Sequence, residues 1–270
     1  MSEARHGTYT HGHHESVLRS HRTRTAENSA AYLLPHLSAG MRLLDVGCGP
    51  GTITVDLARL VAPGRVTALD PSPQALAATR QLAREAGVTT VDVTPGDVFA
   101  LPFDADTFDV VHAHQVLQHV ADPVAALREM VRVTRPGGLV AARDADYAAF
   151  AWFPEVPVLD HWRSLYDEAC RANGGEPNAG RRLLAWAHAA GCQRVTASAS
   201  TWCYAEPGSR QAWGAMWAER IVASALADQL LTTGLADRDD LAGIADGWLA
   251  WAGDPDSWIL IPHGEVLVRV

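Results

Sequence analysis

Between Met41 and Tyr147 short apolar runs alternate with helical patterns, and no other feature constrains the fold as strongly. The runs are Arg42 to Val46, Arg65 to Leu69, Thr90 to Thr94, Phe108 to Ala113 and Gly138 to Arg143. Helical spacing fills Thr52 to Val61, Pro73 to Ala86 and Pro123 to Val133. Strands that alternate with helices pair in parallel, with right-handed crossovers that place helices on both faces of the sheet. The spacing therefore predicts a doubly wound α/β domain.

Beyond residue 150 the composition shifts, because all nine tryptophans lie there. Trp213, Met216, Trp217 and Ile221 share one helical face, and Leu241, Ile244, Trp248 and Trp251 share another. Strand-like runs flank these helices, Gln193 to Tyr204 before them and Trp258 to Val270 after, the second interrupted at Pro262-His263-Gly264. The expected architecture is a seven-stranded, mostly parallel sheet with a helical cap at 205–256, inserted between the last two strands. The sheet domain spans 41–204 and 257–270. Residues 1–40 form an N-terminal lid segment whose amphipathic stretch, Glu15 to Leu37, reads as a helix.

The chain has 270 residues with 48% hydrophobic and 20% charged, a globular composition. Its net charge of −9 repels a phosphate backbone and argues against nucleic acid or an anionic membrane as partner. All 22 basic residues are Arg, which excludes a Schiff-base or phosphate-cradling lysine. Cys48, Cys170, Cys192 and Cys203 show neither CxxC spacing nor a disulfide framework. A polar N-terminus and the lack of an apolar membrane-length run point to a cytoplasmic protein. A homodimer is compatible with this composition.

The stretch Leu43-Leu44-Asp45-Val46-Gly47-Cys48-Gly49-Pro50-Gly51-Thr52 is a strand entering a helix through Asp-x-Gly-x-Gly-x-Gly. Glycines allow the tight turn and let a ligand approach the backbone. The spacing differs from the G-x-G-x-x-G of dinucleotide folds, and Pro50 removes an N–H that a pyrophosphate would use. A nucleoside without pyrophosphate fits better, which disfavours a dinucleotide-dependent oxidoreductase. Cys48 contributes its backbone to this loop rather than its thiol.

Over residues 41 to 145 the chain resembles the class I S-adenosylmethionine (SAM)-dependent methyltransferases, and more narrowly the ubiquinone/menaquinone-biosynthesis-like group. Four ordered stretches carry the resemblance: Leu44 to Gly51, Ala68-Leu69-Asp70-Pro71-Ser72, Gly96-Asp97-Val98 with Leu101-Pro102-Phe103, and Arg135-Pro136-Gly137-Gly138. The resemblance implies that Asp45 and the loop of Gly47, Cys48, Gly49 and Gly51 lie beneath the methionyl part of SAM. It also implies that Asp70 holds the ribose hydroxyls, and that Asp97, with Val98 and Pro71, holds the adenine. A carboxylate at a strand's end suits two vicinal hydroxyls on physical grounds as well. Taken singly, Asp70 and Asp97 also read as turn or helix-cap residues.

Such a cofactor brings an electrophilic methyl, so the protein must align a nucleophile, exclude water and, for some acceptors, remove a proton. His114 follows the strand Phe108 to His112 at its carboxyl end and is the first candidate for a base of near-neutral pKa; it also reads as a cofactor contact or a loop filler. His14, in Tyr9-Thr10-His11-Gly12-His13-His14-Glu15, is the second candidate, delivered with Tyr9 or Arg24 by a closing lid. That histidine run lacks the convergent spacing of a metal site, and no metal is expected. The tryptophan stripes read as helix-to-helix core or as the wall around a flat apolar acceptor. The expected activity is SAM-dependent methylation of an apolar, aromatic or cyclic, secondary-metabolite or quinone-like small molecule. The alternative is a SAM-binding protein that catalyses cyclisation or decarboxylation without methyl transfer.

Overall fold

The computed structural model describes residues 23–270. Tyr9 and His14, and most of the expected lid, lie outside them. Within them an eight-stranded sheet is built from β1 (Leu43–Val46), β2 (Val66–Asp70), β3 (Val91–Pro95), β4 (Phe108–His114), β5 (Thr134–Ala145), β6 (Ala151–Phe153), β7 (Val195–Tyr204) and β8 (Trp258–Arg269). The spatial order is β3-β2-β1-β4-β5-β8, with β7 on the outer edge of β8 and β6 beside the start of β8. The strands β1 to β5 pair in parallel, and β8 alone runs against the others. Strand order reverses between β1 and β4, so their carboxyl ends open a crevice of the kind in which open α/β sheets bind ligands.

The seven expected strands are present, and β6 is an eighth. It has three residues, too few for alternation to register, and it continues the line of β5 after a turn at Tyr147–Ala149. The expected break at Pro262 is absent. The Pro262 carbonyl accepts from the Asp146 N–H (3.0 Å), so the proline's missing donor faces the gap between β5 and β6, where no ladder bond is lost. Gly264 is there for contact, not flexibility: a Cβ on it would strike the Gly180 backbone.

The helices of the α/β unit begin where the sequence supplies caps. A short helix α1 (Ala26–Ser29) starts at Thr25, which is extended and accepts from the Asn28 N–H (3.1 Å). Of the helix expected across Glu15 to Leu37, residues 15–22 lie outside the described residues; in the rest this capping box, followed by Pro35 in a 3₁₀ turn at Leu34–His36, leaves only the short helix α1. Helix α2 (Thr52–Val61) follows the glycine loop. Helix α3 (Pro73–Glu85) is capped by Ser72, and α4 (Pro123–Val133) by Asp122, whose carboxylate accepts from the Ala125 N–H (2.9 Å). One face of the sheet is covered by α2 and residues 26–37, through Leu33, Leu57, Leu43, Val110 and Ala141. The other is covered by α4 and α6 (Leu183–Ala189), with α5 (Pro157–Ala172) preceding α6 in the chain.

Three helices, α7 (Pro207–Ala223), α8 (Ala225–Thr233) and α9 (Arg238–Gly253), stand between β7 and β8. Their core is not their own. Trp162 and Tyr166 of α5 pack into it with Trp217, Ile221, Leu230, Ile244, Trp248 and Trp251. Trp162 meets Trp217 and Trp248 edge to face, with centroids at 4.5 and 4.9 Å. Trp217, Trp248 and Trp251 are buried and belong to the core, whereas Trp213 is half-buried and stacks on Tyr204 of β7 at 4.6 Å. No helix among the described residues is long and apolar enough to cross a membrane.

Replacing a buried indole by a methyl leaves a cavity that the helices around it cannot fill. Trp248→Ala should lower unfolding free energy by about 3–5 kcal/mol in a urea titration. Unchanged stability would show that the ring is not core.

Candidate active site

The carboxyl ends of β1, β2 and β3 form one edge of the crevice. After Val46 the chain turns through Gly47, Gly49 and Gly51, all with positive φ (67°, 54° and 85°). Gly51 cannot be replaced without strain, since a Cβ would also come within 2.9 Å of the Thr79 backbone. The Asp70 carboxylate accepts from the Gly49 N–H (3.0 Å) and the Ser72 N–H (2.8 Å), which ties the glycine loop to the end of β2. Pro71 is exposed beside it. Asp97 stands just past β3 and accepts from the Phe99 N–H (3.0 Å), with Val98 buried next to it. Asp45 faces inward: its two oxygens take the Thr54 hydroxyl (2.6 Å) and His112 Nδ1 (2.8 Å). Cys48 is inert, because burial and the nearby Asp45 and Asp70 carboxylates push its thiol far up.

The structure thus brings Asp45, Gly47, Cys48, Gly49, Gly51, Asp70, Pro71, Asp97 and Val98 to one edge. The donors and acceptors along it fit a nucleoside: a strand-end carboxylate for a diol, and a second carboxylate with an apolar neighbour for an amino-substituted ring.

His114 ends β4 across the crevice. It is 6% exposed, and neither ring nitrogen has a hydrogen-bond partner. Burial, then the charges of Arg24 and Arg143, hold its pKa well below the usual imidazole value, and not near neutrality as expected of a base. Register builds the rest of the site, since His114 lies opposite Arg143 on β5, and Arg143 opposite Glu265 on β8, which lies opposite Ser198 on β7. All four share one face. Arg143 Nε donates to Ser200 Oγ (3.0 Å) and Glu265 (3.3 Å), while Glu265 accepts from Ser198 Oγ (2.7 Å) and from Ser200. Burial lowers the Arg143 pKa to about 10, which leaves it charged at neutral pH.

Trp202 is the hub of this nest. Its ring lies 5.6 Å from His114, 4.4 Å from His263 and 4.9 Å from the Arg143 guanidinium. Its indole N–H donates to the Asn28 carbonyl (2.7 Å). Arg24 donates to Gln115 Oε1 (2.6 Å), and Gln115, at φ 54°, reaches His263 Nε2 (2.9 Å). Residues 23–37 therefore close the nest from above. Sequence reasoning missed Arg143, Trp202, His263, Glu265 and the Asp45–His112 pair; charged residues inside the apolar runs of β5 and β8 were the available signal.

Residues 44–142 match the methyltransferase domain family. The chain is 32% identical over 270 residues to an uncharacterized methyltransferase of Schizosaccharomyces pombe, a match that covers 97% of this chain and 96% of that one. A ubiquinone biosynthesis O-methyltransferase of Methylobacterium is 42% identical over 108 residues, 40% of this chain and 42% of that one. Among solved structures, the YcgJ protein of Bacillus subtilis matches with a TM-score of 0.59 at 19% identity, covering 90% of this chain and 98% of that one. The [4+2]-cyclase SpnF matches with a TM-score of 0.51 at 25% identity, covering 93% and 80%.

Buried neutral histidines make stability depend on pH. His114 and His263 are held well below the usual value and His119 at about 3, in each case chiefly by burial. Below about pH 6.5 the unfolded chain binds protons that the folded one refuses, so each ring removes about 1.4 kcal/mol per pH unit on acidification. Asp144, pushed up to about 7 by burial, acts in the opposite sense between about pH 4 and 7 and offsets one ring. Asp167, also raised by burial, works with Asp144, and denaturant titrations between pH 6 and 5 should still lose stability on acidification, on the order of 1–2 kcal/mol per pH unit. A flat profile would mean that the rings are solvated.

Proposed function

Since the chain belongs to the SAM-dependent methyltransferase family, we propose that it methylates a small cyclic or aromatic acceptor held beside His114 and Trp202. The observation that carries this reading is His114: a buried imidazole with two unpartnered nitrogens, at the end of β4 and one strand from the glycine loop. In this reading the carboxylate of Asp70 receives the ribose hydroxyls of SAM. Gly47, Cys48, Gly49 and Gly51 pass beneath its methionyl part, braced by Asp45, and Asp97 takes the adenine amino group, with Val98 and Pro71 against the ring. SAM supplies an electrophilic methyl on a sulfonium.

His114 stays neutral at physiological pH and is a weak base. That suffices for a hydroxyl or amine acceptor. An oxygen or nitrogen gaining a methyl becomes strongly acidic as it loses electron density, and a positioned neutral imidazole can accept its proton only then. The segment 23–37, held by the Trp202 to Asn28 and Arg24 to Gln115 bonds, excludes water from that proton transfer. A second reading, ring formation without methyl transfer, draws on the likeness to the [4+2]-cyclase SpnF. It predicts a product isomeric with its substrate.

Incubation of small-molecule extracts with methyl-labelled SAM tests both readings. Label should enter a small molecule, and His114→Ala should lower that rate by about 10²–10⁴ while SAM affinity is kept. Loss of SAM binding in that variant would make His114 a cofactor contact instead. Asp70→Ala should weaken SAM by roughly 10- to 100-fold in calorimetry, the value of charge-assisted hydrogen bonds to two hydroxyls. Unchanged affinity would refute the ribose assignment.

A further inference from the structure

The nest contains more hydrogen-bonding capacity than the protein uses. Arg143 is 1% exposed, and only its Nε is engaged; Nη1 and Nη2 have no partner. Glu265 is engaged elsewhere: its Oε1 accepts from Ser200 and Arg143 Nε, and its Oε2 from Ser198. The guanidinium lies over the Trp202 ring, 4.9 Å from its centroid, a cation–π contact that adds to the hold of its Nε bonds. The Tyr32 hydroxyl is also buried without a partner, and burial and Glu265 keep it protonated and therefore a donor. His114 stands one strand away, directly opposite Arg143 in register. A guanidinium buried with four outer N–H bonds unmet is costly, and structures leave such groups only where something else satisfies them.

We propose that Arg143 is the anchor for a carboxylate on the acceptor, received end-on by Nη1 and Nη2 with Tyr32 as a further donor. This deepens the proposed function and rests on it. Two parallel N–H groups match the two coplanar oxygens of a carboxylate. A doubly charged phosphate fits less well, because Glu265 already offsets one of the two guanidiniums of the nest, Arg24 and Arg143. Trp202, 4.9 Å from the guanidinium and 5.6 Å from His114, is the aromatic side chain next to this anchor. The carboxylate is a handle and not the methylated atom, because pairing with Arg143 lowers its nucleophilicity. Specificity then comes from leaving a buried charge unmet whenever an uncharged analogue enters, a stronger discrimination than apolar fit provides.

The test uses the full chain loaded with S-adenosylhomocysteine and two probes of one shape, benzoate and benzamide, followed by ligand-observed NMR titration. Benzoate should bind at least tenfold more tightly than benzamide. Arg143→Gln should remove that preference and leave S-adenosylhomocysteine affinity unchanged. Tyr32→Phe, a smaller change, should weaken benzoate several-fold and benzamide not at all, which keeps the test open should Arg143→Gln fail to fold. Equal binding of the two probes by the unaltered protein, no benzoate binding in the millimolar range, or a preference that survives Arg143→Gln overturns the proposal. Failure of S-adenosylhomocysteine itself to bind would instead overturn the functional reading beneath it.

Discussion

Removing a guanidinium from water costs several kcal/mol unless charge and hydrogen bonds replace what the solvent gave. Arg143 is buried in the sheet itself, and the architecture around it reads as a response to that cost. Glu265 supplies the opposite charge from the one reversed strand, and Ser198 and Ser200 hold Glu265 in place from the strand beyond. Trp202 lies against the cation and is itself fixed by the Asn28 carbonyl. Four strands and the segment before β1 thus converge on one side chain. The same charge, together with burial, holds the His114 and His263 rings neutral.

The two sides of the crevice are built by different means. On the cofactor side the chain shapes backbone: glycines at positive φ, with Asp70 joining the loop to β2 through N–H groups. Its geometry is local, set within some fifty residues of sequence. On the acceptor side the geometry depends on side chains brought together by register across β4, β5, β8 and β7. Strand pairing aligns Cα atoms within about 5 Å, so a one-residue slip of β8 would exchange Glu265 for an apolar neighbour and send the carboxylate to the other face.

That difference explains what could be read in the sequence. The glycine loop, the bounds of α2 and α4, and the order of β1 to β5 are legible because caps, glycines and apolar periods write them locally. Arg143 and Glu265 are not, since nothing within either segment says that they are neighbours. The apolar period up to Leu37 suggested a continuous helix, whereas from residue 23 on the Thr25 capping box and Pro35 leave only a short one. The tryptophan stripes were correctly placed on helices. Their partner Trp162 went unnoticed because α5 belongs to the α/β portion, and core sharing across such a boundary leaves no trace in a periodic pattern.

The antiparallel strand β8 is the last of these elements to leave the ribosome, and its position in the sheet gives that order a consequence. Until it arrives, β5 has an unpaired edge open to other chains, and β6 and β7, which pair only with β8, have no partner in the sheet. Ile259 and Ile261 are also missing from the aromatic core, so α5 and α7 to α9 have no floor. A nascent chain can have its cofactor loop in place while the acceptor nest does not yet exist, because Glu265 and His263 are still to be made. Chaperone dependence and yield in expression should therefore be governed by the interval in which seven strands wait for the eighth.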